Sequence, residues 1–133
     1  MNLNDYIDIA MEKDASDVHL IAGNKPMLRI MRDLVPIEDA DILTPEDMNE
    51  IYDQLIKGNL DKDEVFNTTR KLDMSYTHKD IRLRVNISLS DNVPLCTMRL
   101  IKNELPSYES LGVPDIVRRM TYQPQGLILV TGK

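Results

Sequence analysis

Metal and disulfide chemistry have almost no raw material in this chain: one cysteine, Cys96, and two histidines, His19 and His78, far apart in sequence. No metal-ligand spacing and no disulfide framework can be built from them. Cys96 lies in an apolar run and reads as a small core residue, not a nucleophile. A lone thiol fits a reducing, cytosolic compartment. Long apolar runs are missing as well. Nothing approaches the ~18 consecutive apolar residues of a membrane span, and residues 1–17 are acidic and broken by charges, unlike a signal peptide. We expect a soluble protein with no membrane insertion. Basic excess is also absent: 16 Lys+Arg against 22 Asp+Glu give a formal net charge of -6, which argues against a nucleic-acid partner. No internal repeat or low-complexity stretch appears. What remains is 133 residues, 42% hydrophobic and 29% charged. That suits one soluble domain, or one domain with a fragment of a second.

Leu3, Tyr6, Ile7 and Ala10 recur at helical spacing behind Asn2 or Asn4 as cap, predicting an amphipathic helix over the first dozen residues. Strands are predicted at Asp17 to Ala22, Met27 to Met31 and Leu34 to Ile37, with a turn at Gly23 to Pro26. Pro36 places the third at a sheet edge. A second helix starts at Thr44 as cap with Pro45 in the first turn, carries the stripe Met48, Ile51, Tyr52, Leu55 and Ile56, and stops at Gly58. Residues 61–69 are polar, with helical character. Three strands follow at Leu72 to Thr77, Ile81 to Ser90 and Val93 to Ile101, separated by turns at 78–80 and 91–92. This order predicts an α+β domain with one antiparallel sheet. Met27, Met31, Met48 and Met98 are read as core filler. Residues 104–108 read as a linker, and Gly112-Val113-Pro114 opens a short helix ending in Arg118 and Arg119. Leu127 to Val130 is a continuous apolar run, the pattern of a strand buried on both faces of a parallel sheet.

The strand from Ile81 to Leu89 alternates strictly: Leu83, Val85, Ile87 and Leu89 on one face, Arg82, Arg84, Asn86 and Ser88 on the other. A two-residue turn at Asp91-Asn92 pairs residues whose numbers sum to 183. Leu83 then meets Leu100, Val85 meets Met98, and Ile87 meets Cys96, so the inner face is uniformly apolar. The same register sets Arg84 opposite Arg99. Like charges so placed repel, and with Arg82 beside them three guanidinium groups share one face of an acidic chain. Either acidic side chains neutralise them, or they form an anion site whose forks suit phosphate oxygens. Asp17 and His19 share a strand face, and we expect them to hold the strand and nearby turn by hydrogen bonds.

Several of these passages together resemble a known family. They are Ala15-Ser16-Asp17-Val18-His19-Leu20 with Gly23, Pro26 and Arg29; Arg82, Arg84, Val85 and Asn86; Leu111-Gly112-Val113-Pro114; and Gly126-Leu127-Ile128-Leu129-Val130-Thr131-Gly132. In this order and spacing they resemble the type IV pilus retraction ATPases, the PilT family of hexameric motors within the secretion-ATPase superfamily. The resemblance implies a PAS-like N-terminal domain over residues 1–102, with one antiparallel sheet and packed helices. Residues 103–133 would be the linker and the opening helix and strand of a RecA-like ATPase domain, truncated before its P-loop is complete. Gly132 would be the first P-loop glycine, and Lys133 stands where many relatives have proline. The phosphate-cradling amides, the lysine and the magnesium-binding hydroxyl would follow residue 133. The fragment is therefore expected to carry no catalytic residue, to hold no metal and no tightly bound cofactor, and to be inactive alone.

By the same resemblance Arg82, Arg84 and Arg99 would reach the phosphates of ATP held by the ATPase domain, with Mg2+, as arginine fingers from a mobile domain. The implied partners are the chain's own RecA-like domain, neighbouring subunits of a homohexamer and the inner-membrane pilus machinery. The implied place is the cytoplasm, at the inner face of the membrane. Two alternatives stand beside the retraction reading: a pilus-extension or type II secretion ATPase domain, and a free-standing PAS-like ligand sensor. Only fourteen residues precede Ala15, which favours retraction over extension. The outward arginines, where a sensor would have an apolar pocket, count against the sensor.

Overall fold

The computed structural model describes residues 1–57, 59–102 and 105–132. Two compact units divide the chain, Met1–Asn103 and Glu104–Lys133. The first holds α1 (Leu3–Glu12), β1 (Asp17–Leu20), β2 (Met27–Ile30), β3 (Asp33–Pro36), α2 (Pro45–Ile56), α3 (Leu60–Thr69), β4 (Lys71–His78), β5 (Ile81–Ser90) and β6 (Val93–Ile101). The six strands form one sheet in the order β3-β2-β1-β6-β5-β4, every neighbouring pair antiparallel. The α+β architecture is therefore as the sequence implies, with Pro36 on the outermost strand.

Both N-terminal helices begin on a reciprocal cap. The Asn2 side chain accepts from the Asn4 and Asp5 amides, and Asp5 accepts from the Asn2 amide at 2.7 Å. Thr44 and Asp47 do the same for α2, with Pro45 in its first turn. The apolar stripes of α1 (Leu3, Tyr6, Ile7, Ala10) and α2 (Met48, Ile51, Leu55) are buried with the inner sheet residues Val18, Leu20, Leu28, Leu83, Val85, Ile87, Cys96 and Met98 in one core. Burial pushes the Cys96 thiol up, so it stays protonated and inert. Tyr52 and Ile56 are only half-buried at the margin of that core.

Residues 61–69 are a full helix although they carry no apolar stripe. Asn59 caps α3, and Phe66 is its one buried residue, its ring 4.7 Å from that of Tyr52. The Tyr52 hydroxyl donates to Asp63 at 2.7 Å, tying α3 to α2. The stop assigned to Gly58 lies outside the described residues. Met48 and Met98 are core filler, but Met31 is not: it sits in the β2–β3 turn at φ +57°, fully exposed, because the two-residue turn Met31-Arg32 lifts it off the sheet. No helix among the described residues is long and apolar enough to cross a membrane.

The second unit contains α4 (Asp115–Met120), with Asp115 in its first turn and Arg118 and Arg119 in its last, complementing the helix dipole. The strand expected at Leu127 to Val130 does not form: these four residues are irregular and exposed. A strand exists only through hydrogen bonds to a neighbour, and among the described residues none pairs with this segment. Residues 103, 104 and 133, part of the expected linker boundary and the lysine after Gly132, lie outside the described residues.

Candidate functional site: an arginine rung on the open sheet face

The Asp91-Asn92 turn has positive φ at both residues (50° and 64°), the geometry that matches strand twist in a two-residue hairpin. It locks β5 to β6 in the register that places Leu83 opposite Leu100, Val85 opposite Met98 and Ser90 opposite Val93. With the apolar row turned to the helices, Arg84 faces Arg99 on the other side of the sheet. Pairing of β6 with β1 sets Asp17 opposite Arg99, and pairing of β1 with β2 sets Arg29 opposite Asp17. One rung thus reads Arg84, Arg99, Asp17, Arg29 across four adjacent strands. The next rung on this face reads Asp73, Asn86, Thr97, His19 and Met27.

Within the rung the arginines differ. Asp17 is 4% exposed, and its carboxylate accepts from Arg99 Nε at 2.9 Å and from the Ser16 hydroxyl at 2.8 Å. Arg29 Nε lies 3.8 Å from the other carboxylate oxygen. Burial alone would raise the Asp17 pKa, but the Ser16 and Arg99 hydrogen bonds and the Arg99 charge outweigh it and hold the carboxyl below its ordinary range. Arg99 spends only Nε on this pair. Its side chain is 71% exposed, and no described residue takes its two terminal nitrogens. Arg84 is exposed and has no hydrogen-bond or ion-pair partner among the described residues. Arg82, two positions along β5 on the same face, donates to the Ser75 hydroxyl at 3.2 Å, and Asn86 donates to Asp73 at 3.2 Å. Asp17, Arg84, Asn86, Thr97 and Arg99 line a shallow depression of about 180 Å³.

Of the two sequence-based readings of the arginines, neutralisation applies to Arg99. A carboxylate does neutralise one charge, since Asp17 engages Arg99. Arg84 and the outer edge of Arg99 stay available, a pair of forks facing solvent with donors suited to a multiply charged oxyanion. His19 comes out differently from Asp17. Its Nδ1 is 3.5 Å from the Thr97 hydroxyl and its buried Nε2 has no partner among the described residues. Burial, then the Arg29 charge, holds the ring below the usual histidine pKa against a smaller opposing pull from Asp17. Gly132 belongs to the second unit, on exposed irregular backbone where, among the described residues other than its chain neighbours, no heavy atom lies within 4 Å of an added Cβ. The residue the sequence did not single out is Arg29 as Asp17's second cation; only the pairing of β1 with β2 reveals it.

No protein-family model matches the chain. A type IV pilus retraction ATPase, PilT, of Pseudomonas aeruginosa is 29% identical over 133 residues, covering 99% of this chain and 38% of the relative. The type IV pilus ATPase PilU of the same organism is 23% identical over 99% of this chain and 34% of its own length. Among solved structures, the pilus retraction motor PilT with bound ADP superposes with a TM-score of 0.79 at 26% identity, over 92% of this chain and 36% of that one. The chain is related to the N-terminal region of PilT-family ATPases. It spans little more than a third of the length of these PilT-family relatives. The Legionella pneumophila ATPase DotB, with a TM-score of 0.72 at 18% identity over 91% of the chain and 34% of its own, shares the fold.

Proposed function

We propose that this chain is the PAS-like N-terminal domain, with the opening of the RecA-like ATPase domain, of a cytoplasmic motor that powers type IV pilus retraction. In this reading Arg84, Arg99 and Arg82 contact the phosphates of ATP, bound with Mg2+ by the ATPase domain of the same or a neighbouring subunit in a homohexamer. Gly132 is then the first glycine of the phosphate loop. Force passes through the sheet to the pilus machinery at the inner membrane. The observation that carries the reading is Arg84, without a partner among the described residues, directly opposite the exposed Arg99. Holding two like charges together is unfavourable unless an anion joins them.

Contacts that differ between ATP and ADP would give such a domain two preferred orientations, and that difference is what converts hydrolysis into movement. The test is Arg84→Ala in a longer protein carrying a complete ATPase domain. Arginine fingers are worth roughly 10³–10⁵ in rate, so loss of one arginine of three should slow ATP hydrolysis by about 10–100-fold while the domain stays folded. An unchanged rate rejects the proposal.

A further inference from the structure

The rung does more than display arginines. Asp17 is buried between two of them, and each lies on a different neighbouring strand. Arg99 on β6 is hydrogen-bonded to one carboxylate oxygen at 2.9 Å; Arg29 on β2 stands 3.8 Å from the other, close enough for charge attraction but short of a hydrogen bond. Ser16 donates to Asp17 independently of either. Should Arg99 leave, Asp17 would keep a hydroxyl donor and a second cation, so its burial would stay compensated. Arg29 has its own tether, from Nη1 to the Arg32 carbonyl in the β2–β3 turn at 3.3 Å.

We propose that Asp17 is the internal counter-anion of the arginine site, holding Arg99 while the site is empty and releasing it to an entering oligophosphate as its own pairing shifts to Arg29. This rests on the phosphate-binding reading of Arg84 and Arg99 and adds the regulation of that site. The exchange is an anion-for-anion substitution at one guanidinium, with no proton or covalent bond transferred. Its consequence is that occupancy at β5 and β6 reaches β2 and the β2–β3 turn through side chains already in line. By linkage, phosphate binding and the Asp17–Arg99 pair oppose one another by the same factor in either direction.

The experiment is titration of the 133-residue chain with inorganic tripolyphosphate, followed by the side-chain Nε–H resonances of Arg29, Arg84 and Arg99. In the wild type all three should move with one binding constant, Arg29 included although it faces Asp17. Asp17→Asn removes the competing charge, and a unit charge at ~5 Å changes affinity by roughly fourfold at the dielectric of water and by about 100-fold or more at that of a protein surface. That variant should bind tripolyphosphate tighter by at least the lower factor, with the Arg29 response lost. Unchanged or weaker binding in Asp17→Asn, or a silent Arg29 while Arg84 and Arg99 respond, overturns the counter-anion role and leaves the phosphate site standing. If neither Arg84 nor Arg99 responds, the phosphate reading itself falls, and this inference with it. The wild-type Arg29 response decides the matter even if Asp17→Asn does not fold.

Discussion

Two arginines that face each other across one ladder should answer mutation with opposite signs. At ~5 Å two unit charges repel by about 0.8 kcal/mol in water and about 3 kcal/mol at the effective dielectric of a protein surface. Arg84 and Arg99 are both largely exposed, and Asp17 already offsets part of the Arg99 charge, so the lower bound applies. Arg84→Gln keeps most of the stem and removes the charge. It should stabilise the first unit by about 0.5 kcal/mol at low salt, with the gain fading above roughly 0.5 M salt as screening shortens. Arg99→Met should do the reverse. It strips a buried carboxylate of its hydrogen-bonded partner, which for a fully buried pair costs ~3–5 kcal/mol; with Arg99 exposed and Ser16 and Arg29 remaining, about 2 kcal/mol is the expectation.

The pH dependence of the second variant follows from the same geometry. In the wild type the lowered Asp17 pKa contributes stability above the unfolded value of 3.8, and this is lost as pH falls through the folded value. Without Arg99 its hydrogen bond and charge are lost, so the folded Asp17 pKa rises from its wild-type position toward the unfolded one. The deficit of Arg99→Met should then shrink as pH drops from 7 to about 3. Urea melts of wild type and both variants at low and high salt, and at these two pH values, measure all of this. Destabilisation by Arg84→Gln of more than about 1 kcal/mol, or a salt-independent gain, would refute the repulsion argument.

Other expectations rest on single features. His19 is held neutral by burial and the Arg29 charge, so the unfolded chain protonates first; that contribution is full above about pH 6.5 and is lost as pH falls below it. His19→Gln should flatten the stability slope between pH 7 and 5, and parallel slopes would exclude the effect. Thr44→Ala removes the cap of α2 and should cost about 1 kcal/mol in a denaturant melt. Asn92, at φ 64°, should accept Gly with little change, while Asn92→Val should cost about 1–2 kcal/mol because a β-branched side chain resists the left-handed region.

The hairpin was readable because its turn is two residues long and its inner row is apolar, so local chemistry alone determines which residues meet. The caps at Asn2 and Thr44 were equally local. α3 was faint because its helicity rests on the Asn59 cap and on Phe66 against Tyr52, not on periodicity. Met31 misled because apolarity was taken for burial, whereas a residue at the tip of a tight turn has nothing to be buried against.

The partner of Arg99 belongs to a different class of problem. Asp17 and Arg99 are 82 residues apart, and they meet through the pairing of β1 with β6, which no turn connects. Alternation placed each on a polar face, but the register that puts a carboxylate beside one arginine and not the other is set by how two separately formed hairpins join. A slip of two residues along β1 would keep every apolar residue in the core and would move Asp17 off Arg99. What favours the observed register is therefore on the polar face itself: only there does Arg99 join Ser16 and Arg29 on the buried Asp17. The charge cluster thus favours this alignment of the sheet, in which Arg84 has no partner among the described residues.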